Sequence, residues 1–363
     1  MKQTILIFCF FVFIQPLFAE KKDWLIDGSS YKTEANLSSD KKQIELTNGL
    51  LRRTFSLTPN GATIALDNLM TGQNELRAVR PEAVLVINGK EYPVGGLEGQ
   101  PVHNFLTKDF LSDMQLCDSA FVLTDYTVGE TKEHFPWKSN ETWISNKYPW
   151  PAPGKRITFT YKAPRKIADE CKGLTVRIVY ELYDGAPILS KWIEIDNKGQ
   201  KAVTLDSFKS EVLALVETAP KVHYGEPHEV RMMAQEPGHY TKDYRKKPVQ
   251  TDAPRDYIDR FTQLFVVTDY AMGGDMEAMK DNPAVRWVFD HPEYEFTGIR
   301  YYGQYKPARL EVTPLLGPSE KIAPGESFTS CRAFEMLRDA TDRERRGLAE
   351  CRFWRMMAPW TQE

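Results

Sequence analysis

The densest run of chemistry-bearing side chains is Phe135-Pro136-Trp137-Lys138-Ser139-Asn140-Glu141-Thr142-Trp143, continuing to Tyr148-Pro149-Trp150-Pro151. It holds three of the eight Trp residues, and its prolines leave no strand alternation. Indole and phenol faces offer large, rigid apolar area that suits the C–H surface of a sugar ring, and Lys138, Asn140 and Glu141 add groups for its hydroxyls. Trp137, Trp143, Tyr148 and Trp150 are therefore the candidate substrate-binding residues. The competing role is an aromatic plug closing one end of a sheet sandwich.

His223, His228 and His239 gather in a second segment with Glu226 and Glu229. A metal site needs three convergent ligands, but this spacing matches no helical or hairpin ligand pattern, and Pro227 and Pro237 break the segment. Loop histidines without metal are expected, and no cofactor. A His/Glu acid–base pair acting on a sugar would have to draw on His103, His134, His223, His228, His239 or His291. Asp184-Gly185 reads as a hairpin turn rather than a catalytic acid. Arg343, Arg345, Arg346, Arg352 and Arg355 read as a solvated or docking face of a helix.

The elements that must position these residues are strands. Ile44-Glu45-Leu46 and 53–57 alternate, and Thr58-Pro59-Asn60-Gly61 turns into 62–66. A second Asn-Gly, Asn88-Gly89, joins 83–87 to 91–94; Asn-Gly suits tight hairpins because both residues tolerate positive φ. Strand candidates continue at 121–128, 156–161, 174–183, 187–195, 203–208, 211–216, 261–268, 285–289, 308–315 and 327–336, without the helices that a parallel sheet requires. Residues 104–116 carry apolar side chains near helical spacing, which predicts a short helix over an open sheet end. A C-terminal helix is predicted from Thr341 as N-cap, with Leu348, Cys351 and Trp354 recurring every third residue and Pro359 as the stop. The fold class expected is all-β: a large antiparallel β-sandwich over 20–337, with a helix over 338–363.

The 363 residues carry 47 Lys+Arg against 50 Asp+Glu, a net charge of −3, which offers no electrostatic footprint for nucleic acid or an anionic membrane. Residues 1–19 have the layout of a cleaved secretory signal: Lys2, an apolar run over 5–14, Pro16 and Ala19. That run falls short of the ~20 residues a membrane span needs. The expectation is export to the periplasm or beyond, with no membrane attachment after cleavage. Cys117, Cys171, Cys331 and Cys351 remain, too sparse for a disulfide framework and more in keeping with buried thiols or one incidental bridge.

Several segments together resemble the N-terminal domain of bacterial proteins similar to family-36 glycoside hydrolases, the α-galactosidase group. They are Asn48-Gly49-Leu50-Leu51-Arg52-Arg53-Thr54-Phe55, Pro59-Asn60-Gly61-Ala62-Thr63, Leu66-Asp67-Asn68-Leu69, Tyr180-Glu181-Leu182-Tyr183-Asp184-Gly185-Ala186-Pro187 and Thr341-Asp342-Arg343-Glu344-Arg345-Arg346-Gly347-Leu348. The resemblance implies a galactose mutarotase-like β-supersandwich, a linker helix and then a (β/α)₈ barrel. In such a barrel two Asp residues act as nucleophile and acid/base, about 5–5.5 Å apart in a retaining enzyme.

The sequence ends at Glu363, about where such a barrel would begin, so no catalytic residue carries over. The reading is a non-catalytic, carbohydrate-associated front half, truncated or separately encoded. Its partners would be an α-galactoside and either a glycosidase barrel or a second copy. Such a domain predicts an exposed apolar patch at Trp354, Met356, Met357 and Trp360. The alternatives are a mutarotase-like epimerase and a stand-alone exported carbohydrate-binding protein.

Overall fold

The computed structural model describes residues 22–101, 106–138, 149–164, 166–215, 264–269, 284–290, 308–314, 316–340 and 342–362. Residues 1–19, expected to be a leader, and the strand candidate 261–268 before residue 264 lie outside the described residues.

In chain order the strands are β1 (Glu34–Leu37), β2 (Gln43–Thr47), β3 (Leu51–Ser56), β4 (Ala62–Asn68), β5 (Gln73–Asn74), β6 (Leu76–Ala78), β7 (Ala83–Ile87) and β8 (Lys90–Val94). After helix α1 (Lys108–Asp113) come β9 (Val122–Glu130), β10 (Gly154–Lys162), β11 (Leu174–Tyr183), β12 (Ile188–Asn197), β13 (Val203–Lys209) and β14 (Glu211–Leu215). Then follow β15 (Leu264–Thr268), β16 (Val285–Phe289), β17 (Ala308–Val312), β18 (Glu320–Ile322), β19 (Ser327–Thr329), β20 (Ala333–Leu337) and helix α2 (Arg343–Met357).

They form four antiparallel sheets: β1-β2-β3-β4-β5; β15-β20-β12-β11-β10-β9 with β19 beside β12; β18-β13-β7-β8; and β16-β17-β14-β6. This is the expected all-β sandwich. The inner face of the largest sheet follows strict alternation: Ile157, Phe159 and Tyr161, then Ile178, Tyr180 and Leu182, then Leu189, Ile193 and Ile195. It packs on Leu51, Phe55 and Leu66 from the first sheet, with Phe55 against Phe159 at 4.9 Å and Tyr180 at 4.8 Å. Each such aromatic contributes about 1.5–3 kcal/mol through burial alone.

Buried asparagines tie the corners. Asn48 donates to the carbonyls of Tyr183 (2.8 Å) and Ala186 (2.7 Å) and accepts from Leu50 and Leu51 N–H. Asn68 donates to Arg338 O at 2.7 Å. Asn88 and Gly89 have φ of 51° and 74°, the mirror-image turn expected for this hairpin. Asn60-Gly61 does not repeat it, and neither residue has positive φ. Instead Asn60 donates to Phe121 O and accepts from Leu123 N–H, so a longer loop closes β3 onto β4 by holding a distant strand. Asp184 accepts from Thr33 N–H in a tight turn whose Gly185 has φ of 77°, as expected of a turn residue.

Three expectations are corrected. The run 327–336 is two strands, because Ser330 is bonded to Ile193 through Oγ and Arg332 N–H leaves the ladder for Asp269. The cap of α2 is Asp342, which accepts from Arg345 N–H at 2.8 Å; Thr341 lies outside the described residues. The buried face of α2 is Ala349, Phe353, Met356 and Met357, set against Phe265, Phe334 and Met336 on the outer face of the largest sheet. Leu348 (62% exposed), Cys351 and Trp354 (43%) point to solvent, so the expected exposed patch loses both methionines. The physical reason is spacing: positions 349, 353, 356 and 357 follow the helical period toward the sheet, whereas an every-third stripe drifts around the helix.

Arg345 then clamps Asp23 and Asp339, and Arg352 reaches Leu25 O, so part of the basic face holds residues 23–27 to the sandwich. Helix α1, capped by Thr107, is shorter than the 104–116 expected and sits beside a small core of Ala62, Ile64, Val79, Leu97 and Met114, with Leu111 packed on it. All four described cysteines are free thiols; only Cys171 is buried.

Candidate functional site

The outer face of the largest sheet is apolar where α2 covers it and polar beyond. There β11 presents Glu181 and Tyr183, β10 presents Arg156, and β12 presents Ser190 and Trp192, because these are the outward positions of strands whose alternate residues fill the core. Glu181 is 1% exposed and accepts from Arg156 Nε (2.8 Å), Tyr183 Oη (3.0 Å), Lys132 N–H (3.0 Å) and Arg332 Nη1 (3.4 Å). Arg332 and Arg156 both lie over the Trp192 ring, at 3.9 and 5.0 Å from its centroid.

Above this floor sits an aromatic cluster. Trp150 meets His134 at 5.1 Å, Trp360 at 5.3 Å, Phe135 at 5.4 Å and Trp137 at 6.2 Å, mostly edge to face, the arrangement that ring quadrupoles favour. Its Nε1–H donates to Phe135 O at 3.2 Å. Trp137 and Trp150 are thus brought together as predicted, while Trp143 and Tyr148 lie outside the described residues. Trp360 does not join Trp354 on an open patch; the short 3₁₀ turn Pro359–Gln362 delivers it here instead.

Of the histidines only His134 falls among the described residues. Burial, and then the charge of Arg332, lower its pKa to about 4, so it is neutral at physiological pH. His134 and Glu181 line one niche with Trp150, Tyr183 and Arg332, of about 10 Å³, room for a water molecule and not for a sugar ring. What the cluster offers a larger ligand is its outer rim, where Phe135 is 36% exposed. Among the described residues no group of three or more His, Cys, Asp or Glu side chains can hold a metal ion.

A second set of charges escapes a reading built on apolar alternation. Between the sheets Arg53 (β3) donates to Glu211 (β14) at 3.0 Å and to Glu335 (β20) at 3.3 Å, and Lys191 (β12) donates to Glu211 at 2.8 Å and to Glu82 O at 2.5 Å. Glu82 closes the network by accepting from Tyr180 Oη and Thr63 N–H. Although burial raises it, the Arg53 and Lys191 charges hold the Glu211 carboxyl below its ordinary range. Burial and the facing Glu211 push Glu335 well up. None of the charged groups is more than 2% exposed, so none meets an external substrate; the network joins three sheets.

No protein-family model matches the sequence, and no curated protein does. Solved structures with related architecture include the α-galactosidase of Lactobacillus brevis, 11% identical, TM-score 0.44, matched over 88% of this chain and 42% of that one. A family GH36 α-galactosidase of Geobacillus stearothermophilus is 12% identical, TM-score 0.38, with 84% of this chain and 41% of that one covered. A galactose mutarotase-like protein of Clostridium acetobutylicum is 10% identical, TM-score 0.35, with 85% and 99% covered. The chain spans about two fifths of the length of the α-galactosidases it matches.

Proposed function

We propose that this chain is the non-catalytic, carbohydrate-associated β-sandwich of an exported α-galactosidase-like glycoside hydrolase. The observation that carries the reading is where the segments that resemble the family meet. Asn48 of one is bonded to Tyr183 and Ala186 of another. Arg53 bonds Tyr180, and Asn68 reaches Arg338 just ahead of α2. These residues make the joints of a sandwich and present no free acid to solvent, so what the segments have in common is an architecture that supports chemistry done elsewhere.

In this reading Phe135, Trp137, Trp150 and Trp360 form the surface that touches sugar or the edge of a partner domain. Aromatic edges and faces suit the apolar side of a galactoside ring, and the near-neutral net charge suits an uncharged ligand.

Titration calorimetry of the purified chain with a methyl α-galactoside tests this. The wild type is expected to give saturable heat, and Trp150→Ala to abolish it while the protein remains folded. No sugar-dependent heat in the wild type removes the carbohydrate contact. Hydrolysis of an aryl α-galactoside by the chain alone overturns the non-catalytic assignment.

A further inference from the structure

β9 is the last strand of the largest sheet, paired with β10 on one side and, among the described residues, with no strand on the other. An open edge presents a row of backbone N–H and C=O groups to any strand that comes alongside, so folds keep such edges short or guard them with Pro and Lys. The other edge strands follow that rule: β1, β5, β6, β8, β15, β16 and β18 have five residues or fewer, and β8 carries both Lys90 and Pro93. β9 does not. It runs for nine residues, rich in Val, Thr and Tyr, with neither Pro nor Lys. Its two charges are engaged within the chain: Glu130 binds Lys155 of β10, and Asp125 accepts from Tyr126 N–H at 2.9 Å.

The core-side row of β9 is only partly covered. Its register sets Tyr126 opposite Phe159 and Val128 opposite Ile157, both inward positions of β10. Tyr126 reaches the core, its ring 6.3 Å from that of Phe159. Val128 is 47% exposed although it stands on the core side of the sheet. The strand is also complementary to itself. A two-fold axis perpendicular to the sheet would set two copies of β9 antiparallel and keep their core-side rows on the same side. The register shift at Thr160/Tyr161 ends regular geometry near Thr124, leaving Asp125 to Glu130 as the straight segment. An axis at Thr127 places Tyr126 of each copy opposite Val128 of the other on the core side, Thr127 opposite Thr127, and Asp125 opposite Gly129. Aromatic against β-branched and Thr against Thr are favourable cross-strand pairs, and no carboxylate faces another. An axis at Val128 would instead oppose Tyr126 to Glu130, and one at Tyr126 would oppose Val128 to the irregular Thr124.

We infer that β9 pairs with β9 of a second copy of this chain, antiparallel about Thr127, and joins the two largest sheets into one. The pairing covers Val128 with the Tyr126 ring of the other copy and satisfies the edge of both strands at once. A seam one strand long falls below the ~1,200 Å² of stable specific interfaces, so the dimer is weak and reversible. It does not rest on the carbohydrate reading, and either can fail without the other.

The test is sedimentation equilibrium of the full chain from micromolar to submillimolar concentration, where the wild type is expected to show a reversible monomer–dimer equilibrium. Thr127 is exposed, so its variants should fold, as circular dichroism would show. Thr127→Lys opposes like charges on the axis and should weaken dimerisation by about tenfold or more. Thr127→Glu should do the same, and mixing the two variants should restore the dimer, because position 127 meets itself across the axis. A second measurement reads the register directly. In a Cys351→Ser background, which removes the exposed native thiol, Thr127→Cys should form an interchain disulfide under mild oxidation, since directly opposed residues lie ~4.5–5.5 Å apart at Cα. Gly129→Cys in the same background should not. A wild type that stays monomeric throughout overturns the proposal. So does a dimer indifferent to Thr127→Lys, a mixture of the two charged variants that does not associate, or crosslinking through Gly129→Cys in preference to Thr127→Cys.

Discussion

The inter-sheet network makes a sharp prediction about one proton. Two cations, Arg53 and Lys191, face three carboxyls, Glu82, Glu211 and Glu335, with none more than 2% exposed. A proton on Glu335 balances the count, in keeping with its raised pKa. An unfolded Glu titrates near ~4.3, so above that pH the native state holds a proton that the unfolded state has released. Stability contributed by Glu335 is therefore fully present below the unfolded pKa and declines as pH rises toward the folded one, by up to ~1.4 kcal/mol per pH unit.

Glu335→Gln keeps the shape of the protonated carboxyl and needs no proton. Relative to wild type it should gain stability steadily between pH 5 and pH 7, by up to about 2–3 kcal/mol at the limiting slope just given. Glu75, raised to about 7 by burial, adds a decline of its own up to that pH, but it is present in both proteins and cancels in the difference. Glu211→Gln is the contrast: it removes the carboxylate that both buried cations touch and should cost up to about 3–5 kcal/mol, less as far as Glu335 ionises in its place. Urea unfolding of the three proteins at pH 5, 6, 7 and 8 measures this. A stability difference between wild type and Glu335→Gln that stays constant with pH would mean that Glu335 is ionised in the fold, and the charge count would be wrong.

Gly347 is exposed in the middle of α2 with nothing within 4 Å of where a Cβ would sit. Gly347→Ala should stabilise the protein by about 0.5–1 kcal/mol, read as an upward shift of the thermal midpoint. Asn48→Ala strips acceptors from Leu50 and Leu51 N–H and donors from Tyr183 and Ala186 O in a site 2% exposed. It should cost about 2–4 kcal/mol in chemical denaturation, and a loss below about 1 kcal/mol would show that water replaces the side chain there.

How much of this is legible in the sequence depends on how local each cause is. The hairpin at Asn88-Gly89 is readable because two adjacent residues determine it. The hairpin at Asn60-Gly61 is readable as a reversal but not in its geometry, since Asn60 answers to Phe121 and Leu123, about sixty positions away. The covered face of α2 escapes for the same reason: Phe265 and Phe334 decide which side of the helix is buried, and its own apolar spacing does not name them. Trp360 joins Trp150 through the turn after α2, where no periodicity exists to read.

The inter-sheet charges are different, because their signal is present in the sequence. Arg53 stands between Leu51 and Phe55, Lys191 between Leu189 and Ile193, Glu211 two before Leu213, and Glu335 between Ala333 and Leu337. Each thus occupies the parity of its strand that faces the core. A single charge there would be prohibitively costly, so an inward Arg and Lys on two strands require inward carboxylates on others. Alternation read only for apolar residues finds the sheets; read for the charges that interrupt it, it also finds which strands must meet across the core, and β3, β14 and the neighbouring pair β12 and β20, from three sheets, do.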